Sequence, residues 1–193
     1  MHISRCLFLL LLGVLAWPAQ ASWYLDNESS RLSFVTTKNA DIAEVQRFLV
    51  LHGKVDRKGV AKLQVELESV STGIPLRDER LRNDLFEIKQ FPEALIHAQI
   101  DLGPINDLAP GAQLELRLPL VVALHGKEHS YNAQLLATRL DDRRFQVVTL
   151  EPLVLQAADF DLVPGLQALR KMAGLSSIGL SVPVGAVLIF TAR

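Results

Sequence analysis

The feature that most constrains the fold of this chain is a strict alternation of apolar and polar residues over long segments. In one of them, every second residue is apolar: Leu114, Leu116, Leu118, Leu120, Val122 and Leu124. Another shows the same period of two with Ala61, Leu63, Val65 and Leu67. Because successive side chains of a β-strand point to opposite faces, each such segment predicts a strand with one buried and one solvated face.

Similar strand patterns recur along the chain and are separated by short turns. Turns are predicted where charged residues or glycine interrupt the alternation, at Asp56–Gly59, His125–His129 and Asp141–Arg143. Strands joined by such short turns pair in antiparallel fashion. About eight of them predict an all-β domain, built either as a closed barrel or as a sandwich.

The segment 71–92 interrupts the strand pattern and predicts a short amphipathic helix. Its apolar residues are spaced mostly three to four apart, as in Ile74, Leu81, Leu85 and Phe86. Charged residues occupy most of the remaining positions. One face of this helix would therefore pack on an apolar surface, and the other would be solvated.

A second helix is predicted in the segment 159–175. Its apolar face consists of Leu162, Leu166, Leu169 and either Met172 or Ala173. Pro164 suits the first helical turn and Gly174 suits the C-terminal cap. Both helices are too short to be stable alone in water, so each must pack against an end or seam of the sheet.

The first 21 residues predict an export signal. A short basic segment, Met1–Arg5, precedes the apolar run Leu7–Ala16, and Ala19–Ala21 supplies the small residues of a cleavage site. This run is too short to span about 30 Å of hydrocarbon, although an uncleaved anchor is the alternative. Cleavage would leave residues 22–193 as one cysteine-free exported domain.

Charge and hydropathy argue against two further classes of protein. The 20 Lys and Arg nearly balance the 21 Asp and Glu, and no basic tract is available to neutralise phosphates. Nucleic acid is therefore not an expected partner. Beyond the first 21 residues, the most apolar stretch is 182–190, which is the length of a strand and too short for a membrane helix.

One motif suggests an enzyme. His125, Glu128 and His129 match the His-x-x-Glu-His pattern of zinc peptidases. That chemistry needs both histidines on one face of a helix, whereas Gly126 lies in a predicted hairpin turn. We therefore expect no metal site. Since the sequence also has no nucleophile elbow and no glycine-rich phosphate loop, we expect neither catalysis nor a cofactor.

Several short motifs follow one another in a fixed order along the chain. The first is WYLDNESSRLSF (23–34), followed by LHGKVD (51–56). The longest is VELESVSTGIPLRDERLRNDLFEIKQFPEALIHA (65–98), which contains Ser-Val-x-Thr, Arg-Asp-x-x-Leu and Phe-Pro elements in that order. Later motifs are LPLVVALHGKEHSYNAQL, LQAADFDL and SVPVGAVLIF. These motifs and their order resemble those of the YceI-like family of exported bacterial lipid-binding proteins, and the segment 65–98 is the most specific match.

The resemblance implies an elongated, lipocalin-like, eight-stranded antiparallel barrel with two short helices and an apolar tunnel. It also implies a lipid-like ligand, a polyisoprenoid or an isoprenoid quinone, carried in the periplasm. Transient membrane contact and a homodimer are further expectations. The residues leave one alternative open, a barrel filled by side chains that binds a membrane or a redox partner without bound lipid.

Under this interpretation, apolar residues of the strands and of the two helices would line the tunnel. The candidates are Phe34, Phe48, Leu81, Leu85, Phe86, Phe91, Ile96, Phe160, Leu162, Leu166 and Met172. Each of them could instead be ordinary core. Arg77 and Arg80 are the candidates for contacting a polar headgroup. The alternative is that the charges of this helix form only a solvated face with ion pairs three and four residues apart.

Overall fold

The structure is a computed structural model that describes residues 22–193, so the predicted export signal lies outside the described residues. Its strands are β1 (Trp23–Leu25), β2 (Arg31–Lys38), β3 (Ile42–Phe48), β4 (Leu51–Val55), β5 (Val60–Glu66), β6 (Val70–Ser71), β7 (Glu93–Gln99), β8 (Gln113–Leu124), β9 (Lys127–Arg139), β10 (Arg144–Thr149), β11 (Leu153–Gln156) and β12 (Ser181–Ala192). Its α-helices are α1 (Pro75–Arg80), which continues into a π-helical turn (Leu81–Leu85), α2 (Gly103–Asn106) and α3 (Val163–Met172). No helix within residues 22–193 combines the length and hydropathy needed to cross a membrane.

The strands pair in antiparallel fashion, and the sheet closes on itself. Around the barrel the order is β1-β4-β5-β7-β8-β9-β10-β12, and β12 pairs with β1 to complete the ring. In three places two consecutive short strands together take the position of one long strand of the barrel. β1 and β2 both pair with one edge of β12, and β10 and β11 both pair with its other edge. β3 and β4 in turn pair with β2 and β1. The predicted eight-stranded antiparallel barrel is confirmed.

Strand β8 shows how the alternation of the sequence sets the two faces of the barrel wall. Leu116, Leu118 and Val122 point into the interior, whereas Glu115 and Arg117 are exposed. Strand β7 pairs with β8 in a register that places inward-facing residues of one strand opposite inward-facing residues of the other. A slip of one residue would turn the whole apolar set towards water, so the period of two strongly favours this register.

One end of the barrel is sealed by α2. Its Ile105 is buried, and Arg139 Nη1 donates hydrogen bonds to the carbonyl oxygens of Asn106 (3.0 Å) and Leu108 (2.8 Å). The sequence did not predict this helix, because four residues are too few to show a helical period. These contacts fasten the short helix over the barrel end.

The two predicted helices are confirmed at the other end, where α3 packs against the π-helical turn that follows α1. Gly165 permits this close approach, since a Cβ atom there would lie 3.0 Å from the carbonyl oxygen of Asp84 and 3.1 Å from Leu85 Cδ1. Both helices bury part of their apolar faces, as the low exposure of Leu85 and Leu166 shows, whereas Ile74 and Met172 remain about half exposed. The helical structure is shorter than the charged segment 71–92 suggests.

Two glycines with the same left-handed backbone conformation allow the close packing of the β4–β5 turn to be tested. Gly59 (φ +80°) lies in the β4–β5 turn, where a Cβ atom would be 1.9 Å from the carbonyl oxygen of Ile100, whereas Gly73 (φ +78°) has open space around it. Gly73→Ala should cost about 1–2 kcal/mol for the conformation alone. Gly59→Ala should cost about 2 kcal/mol more, because the backbone must also move. Urea unfolding measures both, and equal losses would contradict the predicted clash.

Candidate functional site: an apolar cavity inside the barrel

The barrel encloses a cavity of about 520 Å³. The cavity runs from Trp23 and Ile105 at the end sealed by α2 to Ile74 and Leu76 at the end covered by α1 and α3. Its wall is made almost entirely of aliphatic and aromatic side chains. The volume lies within the range of about 300–1,000 Å³ that is typical of small-molecule sites. This hollow interior argues against the alternative of a barrel filled by side chains.

Most of the residues predicted to line a tunnel do lie on the cavity wall. They are Phe34, Phe48, Leu81, Leu85, Phe86, Ile96, Phe160, Leu162 and Leu166. The strand residues reach it through the inward positions of the alternation, and the helical ones through the face that covers the barrel. Whether these side chains contact a ligand stays a prediction.

Phe91 and Met172 do not line the cavity, and for these two residues the predicted tunnel position is wrong. Phe91 precedes β7 and packs outside the barrel on the ring of His125, with 4.5 Å between ring centroids. Met172 is 47 % exposed at the end of α3. Ala173, which the sequence predicts as the alternative to Met172, continues the cavity-lining face of α3 instead.

Sequence reasoning missed the small residues of the cavity wall. Alanines occupy inward positions on several strands, at Ala61, Ala94, Ala98, Ala137 and Ala186. An alanine at an inward position leaves space that a leucine or phenylalanine would fill. The signal was present in the sequence, because Ala94 and Ala98 alternate in phase with Ile96. These residues therefore contribute to the hollow interior.

Most of the polar side chains that line the cavity gather at the end covered by α1 and α3. The carboxylate of Glu44 accepts hydrogen bonds from Lys38 Nζ (2.7 Å) and Arg77 Nη1 (2.6 Å). The hydrogen bond from Lys38 lowers the pKa of Glu44, Arg77 adds to this effect, and burial opposes it. Arg77 Nη2 also donates to the carbonyl oxygen of Thr72 (2.8 Å). Arg77 is therefore held by partners within the protein.

Besides Nε of Arg77, which is buried without a partner among residues 22–193, Arg80 and Gln46 are polar groups of this end that keep bonding capacity. Arg80 lines the cavity and makes no ion pair with the residues that the structure describes. Gln46 is 5 % exposed, and its Nε2 donates to Thr36 Oγ1 (3.0 Å), whereas its Oε1 has no partner among residues 22–193. Both side chains therefore present to the cavity hydrogen-bonding groups that residues 22–193 leave free.

The charges of α1 do not form the ion pairs within the helix that the alternative interpretation described. Arg77 pairs instead with Glu44 on β3, which is 33 residues away in sequence. Asp78 is buried, and its carboxylate accepts a hydrogen bond from the backbone N–H of Thr72 (2.8 Å). These contacts attach the start of α1 to the barrel.

The two histidines of the His-x-x-Glu-His motif have separate partners. His125 lies in the β8–β9 turn, where its Nε2 is 2.8 Å from Glu87 Oε2 and its Nδ1 is 3.2 Å from the carbonyl oxygen of Phe160. Both partners are acceptors, so the ring donates to both only when each nitrogen carries a proton. The side chain thus connects the turn to the segments that adjoin both helices.

His129 lies on strand β9 and faces another acidic residue, with 3.6 Å between its Nε2 and Asp159 Oδ2. Asp159 also accepts a hydrogen bond from the hydroxyl of Tyr131 (2.8 Å). Burial, together with this hydrogen bond, raises the pKa of Tyr131 to about 12. Across residues 22–193, no group of three or more His, Cys, Asp or Glu side chains is arranged to hold a metal ion.

The ion pairs of Glu44 predict a dependence of stability on pH. Because folding lowers the pKa of Glu44 from its ordinary value of 4.5, its contribution to stability is present above pH 4.5 and is lost as the pH falls through the folded-state pKa. Glu44→Gln should therefore lower Tm at neutral pH, and the difference from the wild type should shrink below pH 4.5.

Thermal unfolding followed by circular dichroism over a series of pH values measures this difference. Glu79→Gln is the matched control, because Glu79 lies on the exposed side of α1 and has no ion pair with any residue from 22 to 193. A constant difference between the wild type and Glu44→Gln down to strongly acidic pH would contradict the assigned ion pairs.

Comparison with known proteins gives one family and two informative structures. The YceI-like domain family matches residues 23–190. A polyisoprenoid binding domain from Saccharophagus degradans, implicated in plant cell wall breakdown, is 35 % identical with a TM-score of 0.88, over 90 % of this chain and 99 % of that chain. BcnA from Burkholderia cenocepacia is 16 % identical with a TM-score of 0.66, over 86 % and 98 % of the two chains, which shows the fold alone. No curated protein sequence matches.

Proposed function

The chain belongs to the YceI-like family, and we propose that it is a periplasmic carrier that holds an isoprenoid-type amphiphile in its barrel without catalysing a reaction. The observation that carries this proposal is the hollow apolar interior of about 520 Å³. The 35 % identical domain from S. degradans, described as polyisoprenoid binding, supports the ligand class. The proposed periplasmic location rests on the predicted export signal in residues 1–21 together with the resemblance to a family of exported bacterial proteins.

The two ends of the cavity differ in a way that would orient an amphiphile. The sealed end presents apolar groups, including Trp23 stacked edge-on against Phe145 with 4.8 Å between ring centroids. The opposite end presents Arg80 and Gln46. An isoprenoid tail would therefore lie towards Trp23, and a phosphate, hydroxyl or quinone headgroup would lie near Arg80.

Binding in such a cavity would depend mainly on the length of the apolar chain. Each buried methylene contributes about 0.8 kcal/mol, whereas a hydrogen bond to the headgroup contributes about 1 kcal/mol net. Several isoprene units therefore outweigh one polar contact. The few polar groups would set the direction of the ligand and select among headgroups.

The ligand itself is tested by extracting protein purified from its natural host with organic solvent and analysing the extract by mass spectrometry. We expect about one isoprenoid lipid per protein molecule, because the cavity inside the barrel has room for one elongated apolar chain. A sample of the same protein unfolded and refolded in lipid-free buffer serves as the blank. Repeated preparations that contain no lipid, or that contain a lipid without isoprene units, would contradict the proposal.

Filling the cavity provides a second test. Ala98 points into the cavity near the end of β7 that leads to α2, whereas its neighbour His97 is on the outer face of the same strand. Ala98→Phe should reduce retention of geranylgeraniol, an isoprenoid alcohol used as the probe, about tenfold or more, because the ring occupies space that the chain needs. His97→Phe should leave retention unchanged. Gel filtration after loading from ethanol measures the retained probe.

The thermal stabilities of the variants Ala98→Phe and His97→Phe distinguish a hollow barrel from a filled one. In a filled core, an added ring costs about 1–3 kcal/mol through overpacking. In this barrel the ring of Ala98→Phe enters open space, so its Tm should remain close to that of His97→Phe. A marked loss of stability together with unchanged retention of the probe would contradict the position of the binding cavity.

A further inference from the structure

The cavity reaches the surface at the end covered by α1 and α3, because Ile74 and Leu76 line its wall and are also about half exposed. Three segments lie at this opening and together form the mouth rim: 38–44 around the β2–β3 turn, 74–80 at α1, and 170–178 at the end of α3. They are connected by specific contacts. The side-chain oxygen Oδ1 of Asn39 accepts a hydrogen bond from the backbone N–H of Ser176 (2.9 Å), which ties the β2–β3 turn to the end of α3. The ion pair between Arg77 and Glu44 joins the α1 segment to the segment 38–44, so the mouth rim is one continuous surface.

The mouth rim exposes large apolar side chains. Ile42 is 46 % exposed, Ile74 50 %, Leu76 57 % and Met172 47 %. Single exposed apolar residues are common on protein surfaces, but a group around one opening marks a surface that is covered in use. Two of the four, Ile74 and Leu76, also line the cavity. The exposed apolar surface thus continues directly into the interior.

Basic residues surround this apolar group. The mouth rim carries five cationic side chains, Lys38, Arg77, Arg80, Arg170 and Lys171. Its carboxylates are Asp41, Glu44, Asp78 and Glu79, of which Asp78 is buried in its hydrogen bond to Thr72. The surface charge of the mouth rim is therefore positive, although acidic residues slightly outnumber basic ones over the whole chain. An anionic surface complements this distribution.

We propose that the mouth rim docks on an anionic lipid bilayer, so that the amphiphile passes between membrane and barrel without crossing water. This inference rests on the proposed function, because a bilayer is the phase in which such a ligand dissolves. Apolar side chains flanked by Lys and Arg are the features by which proteins bind the membrane interface. In this orientation the open end faces the lipid, and the end sealed by α2 faces away from it.

The bilayer also fits the opening better than a second copy of the chain does. A partner copy seated on the mouth rim would cover the route into the cavity, since the exposed Ile74 and Leu76 are part of its wall. A bilayer covers the same apolar side chains and leaves the route open to its own lipids. The two occupants predict different behaviour in solution, and this difference enters the test.

Flotation with vesicles of phosphatidylethanolamine and phosphatidylglycerol tests the proposal, with phosphatidylcholine vesicles for comparison. The rim variant is Ile42→Ser with Met172→Ser, because both residues are exposed on the mouth rim but outside the cavity wall. The matched control is Leu140→Ser with Leu150→Ser, which are 38 % and 42 % exposed but lie away from the mouth rim.

The wild type should float with the anionic vesicles, less with the neutral ones, and less at high salt, since salt screens the attraction of the cationic side chains. The rim variant should bind the anionic vesicles about tenfold more weakly, because two side chains that enter the interface lose their apolar groups. The control should bind like the wild type.

Retention of geranylgeraniol distinguishes this inference from the proposed function. All three proteins should retain the probe when it is added from ethanol, and the rim variant alone should take it up slowly from vesicles. Failure of every protein to retain the probe from ethanol would overturn the proposed function. Normal retention with unchanged flotation of the rim variant would overturn the docking inference alone.

Two further outcomes would also overturn the docking inference. One is a wild-type protein that does not float with anionic vesicles, or a control that loses as much binding as the rim variant. The other is sedimentation showing a wild-type dimer that the rim variant dissociates into monomers. In that case the mouth rim would be the interface between two copies of the chain.

Discussion

Closure of the sheet through the pairing of β12 with β1 is the constraint on which the cavity depends. In a closed barrel every strand has neighbours on both sides, so alternate side chains are committed to the interior. Once the register is set, the size of the inward residues decides how much of that interior is filled. Alanines such as Ala98 and Ala137, placed among leucines and phenylalanines, leave about 520 Å³ open.

The short helices give this symmetric wall two different ends. α2 seals one end with Ile105 and is held there by the hydrogen bonds of Arg139. At the other end, α1 and α3 cover the barrel and bring charged and exposed apolar side chains to the opening. A cavity with one closed apolar end and one polar open end orients an amphiphile. The same asymmetry makes the mouth rim, rather than the sealed end, the surface that would meet a membrane.

Most of the fold and of the cavity wall could be predicted, because a period of two or of 3.6 assigns each residue to a face. Phe34 and Ile96 reach the wall in this way, and so does Leu166. The failures lie where periodicity carries no information. Phe91 precedes its strand, and Met172 ends its helix at a spacing that Ala173 satisfies equally well. α2 was missed because it is only four residues long.

The sequence by itself determined which face of each strand turns inwards, the antiparallel pairing of the strands and the resemblance to a family. Only the tertiary structure decided that the interior is hollow and where it opens. It also decided that Arg77 pairs with Glu44 on β3 rather than within its own helix. The physical reason is that local periodicity depends on near neighbours in the chain. Cavities and ion pairs instead depend on residues that the closed sheet brings together from distant positions.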